Sequence, residues 1–359
     1  MRYKYWLAST PLSVIPEKYK LFLNAGSAEE IYNMTETELR LIYNWRGDSL
    51  ERFLSRRNEM DTEKEYDSFK ASGMSLVTIE DKEYPDRLRW IANPPYALFY
   101  IGDLSILNTR TIGIVGARRC SEYGKSCAFN LAKQLALRKN TIISGMATGI
   151  DSHAHLGSIE GSGKTAAILG CGADVVYPRN NKALYERIKK DGLVISEFSP
   201  GCAPLPINFP IRNRIVSGLS DILVVVEAKK RSGSLITADF ALEQGKDVYT
   251  VPGRICDPLS EGCNRLISQG ADVLTDIEEF AEQHQVEKPK KQIPKKSFTL
   301  NDHEAIIYDL IELQPVELER ILCLSPLSAT ESIEAVISLL NNGYIKEIFK
   351  NCYIRETLT

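Results

Sequence analysis

TIGIVGARRCSEYGKSCAFNLAKQLALRKNTIISG, residues 111–145, sets the fold class. Both ends are short, unbroken apolar runs, the pattern of strands covered on both faces; a strand with one wet face would alternate. Between them EYGKSCAFNLAKQLALRK has the length of a helix. Strand, helix and strand in that order make a crossover unit with parallel strands.

The pattern repeats in both directions. Strands are expected at SLVTI and ALFYIG upstream and at TAAILG, LVISEF, DILVVVEA, DVYTVPG and ADVLT downstream, with helical intervals such as SLITADFALEQG between most of them. The expectation is an α/β domain over residues 75–284, an extended Rossmann-like, doubly wound parallel sheet. Such sheets bind ligands at the carboxyl ends of their strands, near the switch point, so function is sought in the loops that follow the strands.

The flanks read differently. Residues 1–72 carry helical periodicity (YKLFLNAGSAEEIYNM, ETELRLIYNW, DSLERFLSRRNEM), with Thr35 placed as an N-cap. This is expected to be a small N-terminal helical domain, SAM-like or helix-hairpin-helix-like. Its glycine turn lacks a clear hairpin signature, which favours a structural or partner-binding role over a grip on DNA. Residues 285–297 form a lysine- and proline-rich linker, and residues 298–359 read as three helices and a strand pair, a C-terminal winged-helix domain. The helix in the recognition position carries Glu331 and Glu334 and no basic residue, which favours a protein contact over duplex readout.

Composition narrows the class. With 359 residues, 43% hydrophobic and 25% charged, the chain has an ordinary globular mix and ample core. The longest apolar runs are far shorter than a membrane span and the first residues show no signal peptide, so a cytoplasmic protein without a membrane partner is expected. Eight cysteines contain no CxxC pair, and His153 and His155, two apart on a helix, point about 200° apart. No metal site and no cofactor is read. A net charge of −3 permits a local basic cleft, because the field there depends on nearby charges.

GSIEGSGKT, residues 157–165, imitates a phosphate-binding P-loop and fails twice. The first glycine of the motif would fall on Ser158, and the segment leaves a helix to enter a strand, the reverse of the P-loop order. Anion chemistry is legible elsewhere. Gly116 before a helix, with Arg118 and Arg119 beside it, suits an anion at a positive helix end. A dinucleotide enzyme would want an acid about 20 residues on, at the end of the next strand, and Ser144 stands there. SGMATGIDSHAH offers Gly145 as a second close-approach backbone site, with Asp151 able to cap the following helix. Arg179 follows an expected strand extension in VVYPRNN. In GCAPLPINFPIRNRIVSGLSD, Asn208, Arg212, Asn213 and Arg214 crowd around Phe209. Arginine with an exposed ring suits a single strand, phosphate on one and base on the other; Phe209 in the core with the arginines paired to acids is the equal alternative. After Lys229, Lys230 and Arg231, the run Ser232-Gly233-Ser234 opens a helix as a second anion nest. No nucleophile–base pair or acid pair accompanies these groups, so the ligand is a polyanion that is held and not cut, and no catalytic residue is assigned.

VGARRCSEYG, SGMATGIDSHAH, NFPIRNRIVSGLSD and SGSLITADFALEQGKDVYTVPG, in this order over roughly residues 80–280, closely resemble the DprA/Smf family of DNA-processing proteins. The resemblance implies a Rossmann-like core that binds single-stranded DNA, protects it, dimerises and helps load RecA recombinase during natural transformation. It carries over Arg118 and Arg179 as phosphate contacts, Arg212 and Arg214 as pocket arginines, and Phe209 as a stacking ring. Cys120 stands where relatives often have proline. The alternative from another class is a nucleotide-binding or nucleotide-cleaving enzyme like the phosphoribohydrolases that share this core; there SGSLITADF offers Asp239 alone as a nearby acid.

Overall fold

The computed structural model describes all residues except 11–15, 44–47, 287–299, 312–315, 343, 350 and 356–359. Contacts divide the chain into two compact units, Met1–Val286 and Glu287–Thr359.

The first unit begins with six helices: α1 (Arg2–Ser9), α2 (Pro16–Ala25), α3 (Ala28–Asn33), α4 (Glu36–Tyr43), α5 (Asp48–Glu59) and α6 (Thr62–Ala71). Thr35 caps α4 as its position suggested: its hydroxyl accepts the Glu38 N–H at 3.3 Å while its own N–H donates to the Glu38 carboxylate at 2.7 Å. Trp6 is fully buried and meets Tyr32 and Phe53 edge-on. Tyr5 stacks on Phe69, which meets Phe99 of the sheet, so the helices share one hydrophobic cluster with it.

All nine expected strands form: β1 (Ser75–Thr78), β2 (Ala97–Gly102), β3 (Thr111–Val115), β4 (Thr141–Ser144), β5 (Thr165–Leu169), β6 (Leu193–Ser196), β7 (Ile222–Val225), β8 (Asp247–Thr250) and β9 (Asp272–Val273). They pair in the order β1-β2-β6-β5-β4-β3-β7-β8-β9. From β6 to β9 every pairing is parallel. The expectation of a wholly parallel sheet is corrected at one edge, where β1 runs antiparallel to β2 and β2 antiparallel to β6. An apolar run carries no direction; the connection sets it. The β1–β2 link holds only the four-residue α7 (Asp86–Arg89), too short a helix to carry the chain back over the sheet.

Longer helices cover the sheet: α8 (Glu122–Leu137), α9 (Ile150–Glu160), α10 (Lys182–Asp191), α11 (Asn208–Leu219), α12 (Gly233–Glu243), α13 (Glu261–Ser268) and α14 (Ile277–Gln283). The chain winds from β3 outward through β4, β5 and β6, then returns to lay β7 on the other side of β3. That reversal is the switch point, and the loops after β3, β4 and β7 meet there. The GSGKT segment closes α9 into β5, and the Lys164 ammonium donates to the Asp191 carbonyl at 2.9 Å, a structural bond.

The second unit, taken by itself, has α15 (Asp302–Leu310), β10 (Val316–Glu317), α16 (Leu318–Leu324), α17 (Ala329–Asn341), β11 (Ile345–Phe349) and β12 (Cys352–Arg355), with an antiparallel sheet ordered β10-β12-β11. Ile307, Ile321, Val336 and Leu339 form its core. Glu331 is a capping residue: its carboxylate takes the Ser328 N–H at 2.9 Å and hydroxyl at 2.6 Å, which holds its pKa below the usual carboxylate value. Among the described residues no helix is long and apolar enough to cross a membrane.

Candidate nucleic-acid interface

The loops after β3, β4 and β7, with the first turns of α11 and α12, surround a cavity of about 530 Å³ at the switch point. Two of them interlock because glycine leaves room. A side-chain carbon at Gly116 would come within 2.7 Å of Ile150 Cγ1, and one at Gly149, whose φ is +81°, within 2.3 Å of the Ala117 carbonyl oxygen. The β3–α8 and β4–α9 loops therefore form one wall.

Arg118 and Arg119 project from that wall and are exposed. The Arg118 guanidinium carbon lies 5.4 Å from the centre of the Phe209 ring, within cation–π reach, and Phe209 in turn meets Tyr177 at 5.4 Å, tilted by 33°. Phe209 is half-buried and lines the cavity. Opposite, Lys229, Arg231, Ser232, Gly233 and Ser234 line the other wall. Ser232 caps α12 through the Ser234 N–H at 3.4 Å, and its hydroxyl pairs with that of Ser234 at 2.8 Å. Among the described residues, none of Arg118, Arg119, Arg179, Lys229, Lys230 and Arg231 forms an ion pair, so their charge is available to a ligand.

The floor holds a charge of each sign. Arg212 is 5% exposed and donates from Nη1 to the Gly145 carbonyl at 2.7 Å and to the Ile168 carbonyl, joining the ends of β4 and β5. Burial lowers its pKa to about 10, with Asp151 pulling the other way. Glycine at 145 leaves room for this guanidinium, since an added carbon would sit 2.3 Å from Arg212 Nη1. The Asp151 carboxylate accepts from Gly145 N–H at 3.2 Å and Ala147 N–H at 3.3 Å. Burial raises its pKa, against the pull of Arg212, these hydrogen bonds and Arg118. Asp151 therefore pins the β4–α9 loop, a correction to its expected role as cap of α9, whose N-cap is Gly149.

Three expected residues stand apart from the cavity. Arg214 is a correction: it is buried against Glu197, donating to both carboxylate oxygens at 2.7 and 2.8 Å, with side-chain exposures of 7% and 8%. Positions 212 and 214 point about 200° apart on α11, so one helix cannot aim both into one cavity. Asn208 is buried at the start of α11, its amide 3.9 Å from Cys202 Sγ, and does not line the cavity. Arg179 is exposed on the 3₁₀ turn Arg179–Asn181 that follows Tyr177 and Pro178, beside the cavity and not in its wall. Among the lining residues that went unread is the aromatic Tyr177, 38% exposed. Its signal was present in YPR, an aromatic two residues before an arginine, much as Phe209 lies three before Arg212. His153 and His155 go to separate partners, the Gly149 carbonyl at 2.8 Å and the Thr165 hydroxyl at 2.6 Å.

The family model for DNA recombination-mediator protein A matches residues 75–285, from the first residue of β1 to just past α14. The chain belongs to that family. The DNA processing protein DprA of Streptococcus pneumoniae is 45% identical over 198 residues, 55% of this chain and 70% of that protein. Protein Smf of Escherichia coli is 36% identical over 298 residues, 79% of each chain. The X-ray structure of DprA from S. pneumoniae superposes with a TM-score of 0.70 at 35% identity, covering 80% of this chain and 99% of that one. A structure concerned with the single-stranded DNA binding mode of DNA processing protein A from Helicobacter pylori covers 58% of this chain and 95% of its own, at a TM-score of 0.54 and 31% identity. The mixed α/β architecture with its large, mostly parallel sheet is thus the fold of DNA recombination-mediator protein A, and the matched region contains every residue of the cavity.

Proposed function

We propose that this member of the family binds single-stranded DNA at the switch-point cavity, protects it, and, as a cytoplasmic homodimer, helps load RecA recombinase onto it during natural transformation. The observation that carries the reading is Arg118 set over the Phe209 ring and, among the described residues, in no ion pair, in a cavity also lined by the start of α12. A guanidinium takes a phosphate, a ring face takes a base, and free backbone N–H groups at a helix start take a second phosphate. Arg118, Arg119 and Arg179, with the Ser232-Gly233-Ser234 nest, would track the backbone while Phe209 and Tyr177 stack bases. The H. pylori relative, whose structure concerns single-stranded DNA binding, supports the same ligand here.

Binding without cleavage fits the cavity's chemistry. Its one carboxylate among the described lining residues, Asp151, is engaged by two backbone N–H groups, which leaves no free acid for the nucleotide-cleaving alternative; Asp239 lies outside this cavity. The three helices and small antiparallel sheet of the second unit support the winged-helix reading, and the exposed Ile333 and Ile337 beside Glu334 favour a protein partner for it.

Fluorescence anisotropy with labelled oligonucleotides tests the reading. Single strands are expected to bind tighter than duplex and far tighter than a mononucleotide, and Arg118→Ala to weaken strand binding by about tenfold or more, given stacking and charge contributions of about 1–3 kcal/mol. A mononucleotide bound as tightly as a long strand would overturn it.

A further inference from the structure

A second cavity of about 360 Å³ lies immediately beyond the Ser232–Gly233 ridge. It shares Arg231, Ser232, Gly233 and Ile236 with the first, so the two are separated by one turn of chain and not by a wall of core. The ridge is low where it matters: a side-chain carbon placed on Gly233 would meet nothing within 4 Å, so the space above this residue is open. Consecutive lysines divide between the two sides, Lys229 lining the first cavity and Lys230 the second, with Arg231 reaching both. On the far side Arg265 of α13 and Gln269, just past its end, complete a lining that also includes Leu235 and Leu266.

The charge is one-sided and uncommitted. Lys230, Arg231 and Arg265 are all exposed, and among the described residues none of them forms an ion pair; Asp239 is the single acid in the lining. These cations extend the positive charge of the first cavity and offer contacts to phosphate. Two such basins joined across an open glycine suit a ligand that is continuous, flexible and charged at regular intervals.

We propose that the second cavity holds the next stretch of the same single strand, with Lys230 and Arg265 as phosphate contacts and the Ser232–Gly233 ridge as the crossing point. The proposal rests on the function assigned to the first cavity. A small anion or mononucleotide would be satisfied by one basin; a strand spanning both gains affinity with each phosphate that enters the second. Each phosphate contact on a single strand adds about −0.7 to the slope of log affinity against log salt, which makes one contact worth about fivefold between about 1 M and about 0.1 M salt.

The test is anisotropy with the full chain and oligothymidylates from about 4 to about 24 nucleotides across a salt series, for the unmodified protein, Arg265→Ala, Lys230→Ala and Arg118→Ala. Both new substitutions remove exposed side chains, so thermal melting is expected to be unchanged and serves as the check on folding. The expected result is that Arg118→Ala weakens strands of every length, while Lys230→Ala and Arg265→Ala leave the shortest strands untouched, weaken long ones by about fivefold each and reduce their salt slope by about 0.7 each. If the unmodified chain binds strands and Arg118→Ala weakens them, but Lys230→Ala and Arg265→Ala change neither affinity nor slope at any length, the second cavity is not on the path and the proposal falls while the first site stands. If the unmodified chain binds no strand of any length, both fall together.

Discussion

Arg212 and Arg118 belong to one cavity and differ in what they already hold. The Arg212 guanidinium is spent on the Gly145 and Ile168 carbonyls and balances Asp151, so Arg212→Ala leaves buried acceptors and a buried carboxylate uncompensated. The expected cost is about 3 kcal/mol or more of stability, read as a lowered midpoint in urea, whereas Arg118→Ala should leave that midpoint within about 0.5 kcal/mol and lose strand binding. An equal loss of stability in both would show that the arginines are not divided in this way. A second residue-scale prediction concerns His155, fully buried against Thr165, whose pKa burial lowers to about 3. Below the unfolded value of about 6.5 the unfolded chain takes up a proton that the native chain refuses, so stability falls with pH by up to about 1.4 kcal/mol per unit between about 6.5 and 3 and is independent of this group above that window. Urea titrations at pH 5 and 7.5 measure it, and His155→Gln should flatten the difference.

At the scale of elements, the strands of the sheet were legible because continuous apolar runs bounded by glycine survive any register, and all nine formed where expected. Their direction was not, and β1 and β2 turned out antiparallel for want of a long crossover helix. The site loops were legible as glycine next to arginine, and Gly116, Arg118, Arg119 and the Ser232–Ser234 turn do converge. Arg214 was misread because spacing names a helix position but not the acid, Glu197, that a distant strand end brings to it. The interlock of the β3–α8 and β4–α9 loops makes its own prediction. Gly149→Ala puts a carbon 2.3 Å from the Ala117 oxygen at φ +81°. Prising the loops apart should cost about 2 kcal/mol or more and weaken strand binding with it, measured by urea titration alongside anisotropy. Ser232→Ala removes the α12 cap at a cost of about 1 kcal/mol; a larger loss of binding than of stability would mark the cap as part of the anion nest.

For the whole molecule, the division at Val286 gathers the cavity, its supporting helices and the N-terminal helical segment into one unit. A chain ending at Val286 is therefore expected to melt cooperatively and to bind strands about as tightly as the full chain, with calorimetry and anisotropy as the checks. The N-terminal helices read as separate in the sequence because periodicity stops at the end of α6; what joins them to the sheet is the contact of Tyr5 and Phe69 with Phe99, which no local pattern records. The most direct test of the central claim is photocrosslinking of an oligonucleotide carrying 5-iododeoxyuridine, followed by mapping of the adducted peptides. The account predicts adducts at Phe209 and Tyr177 that disappear when an unlabelled single strand competes. Specific adducts confined to other surfaces, with none in the peptides that line the cavity, would contradict it.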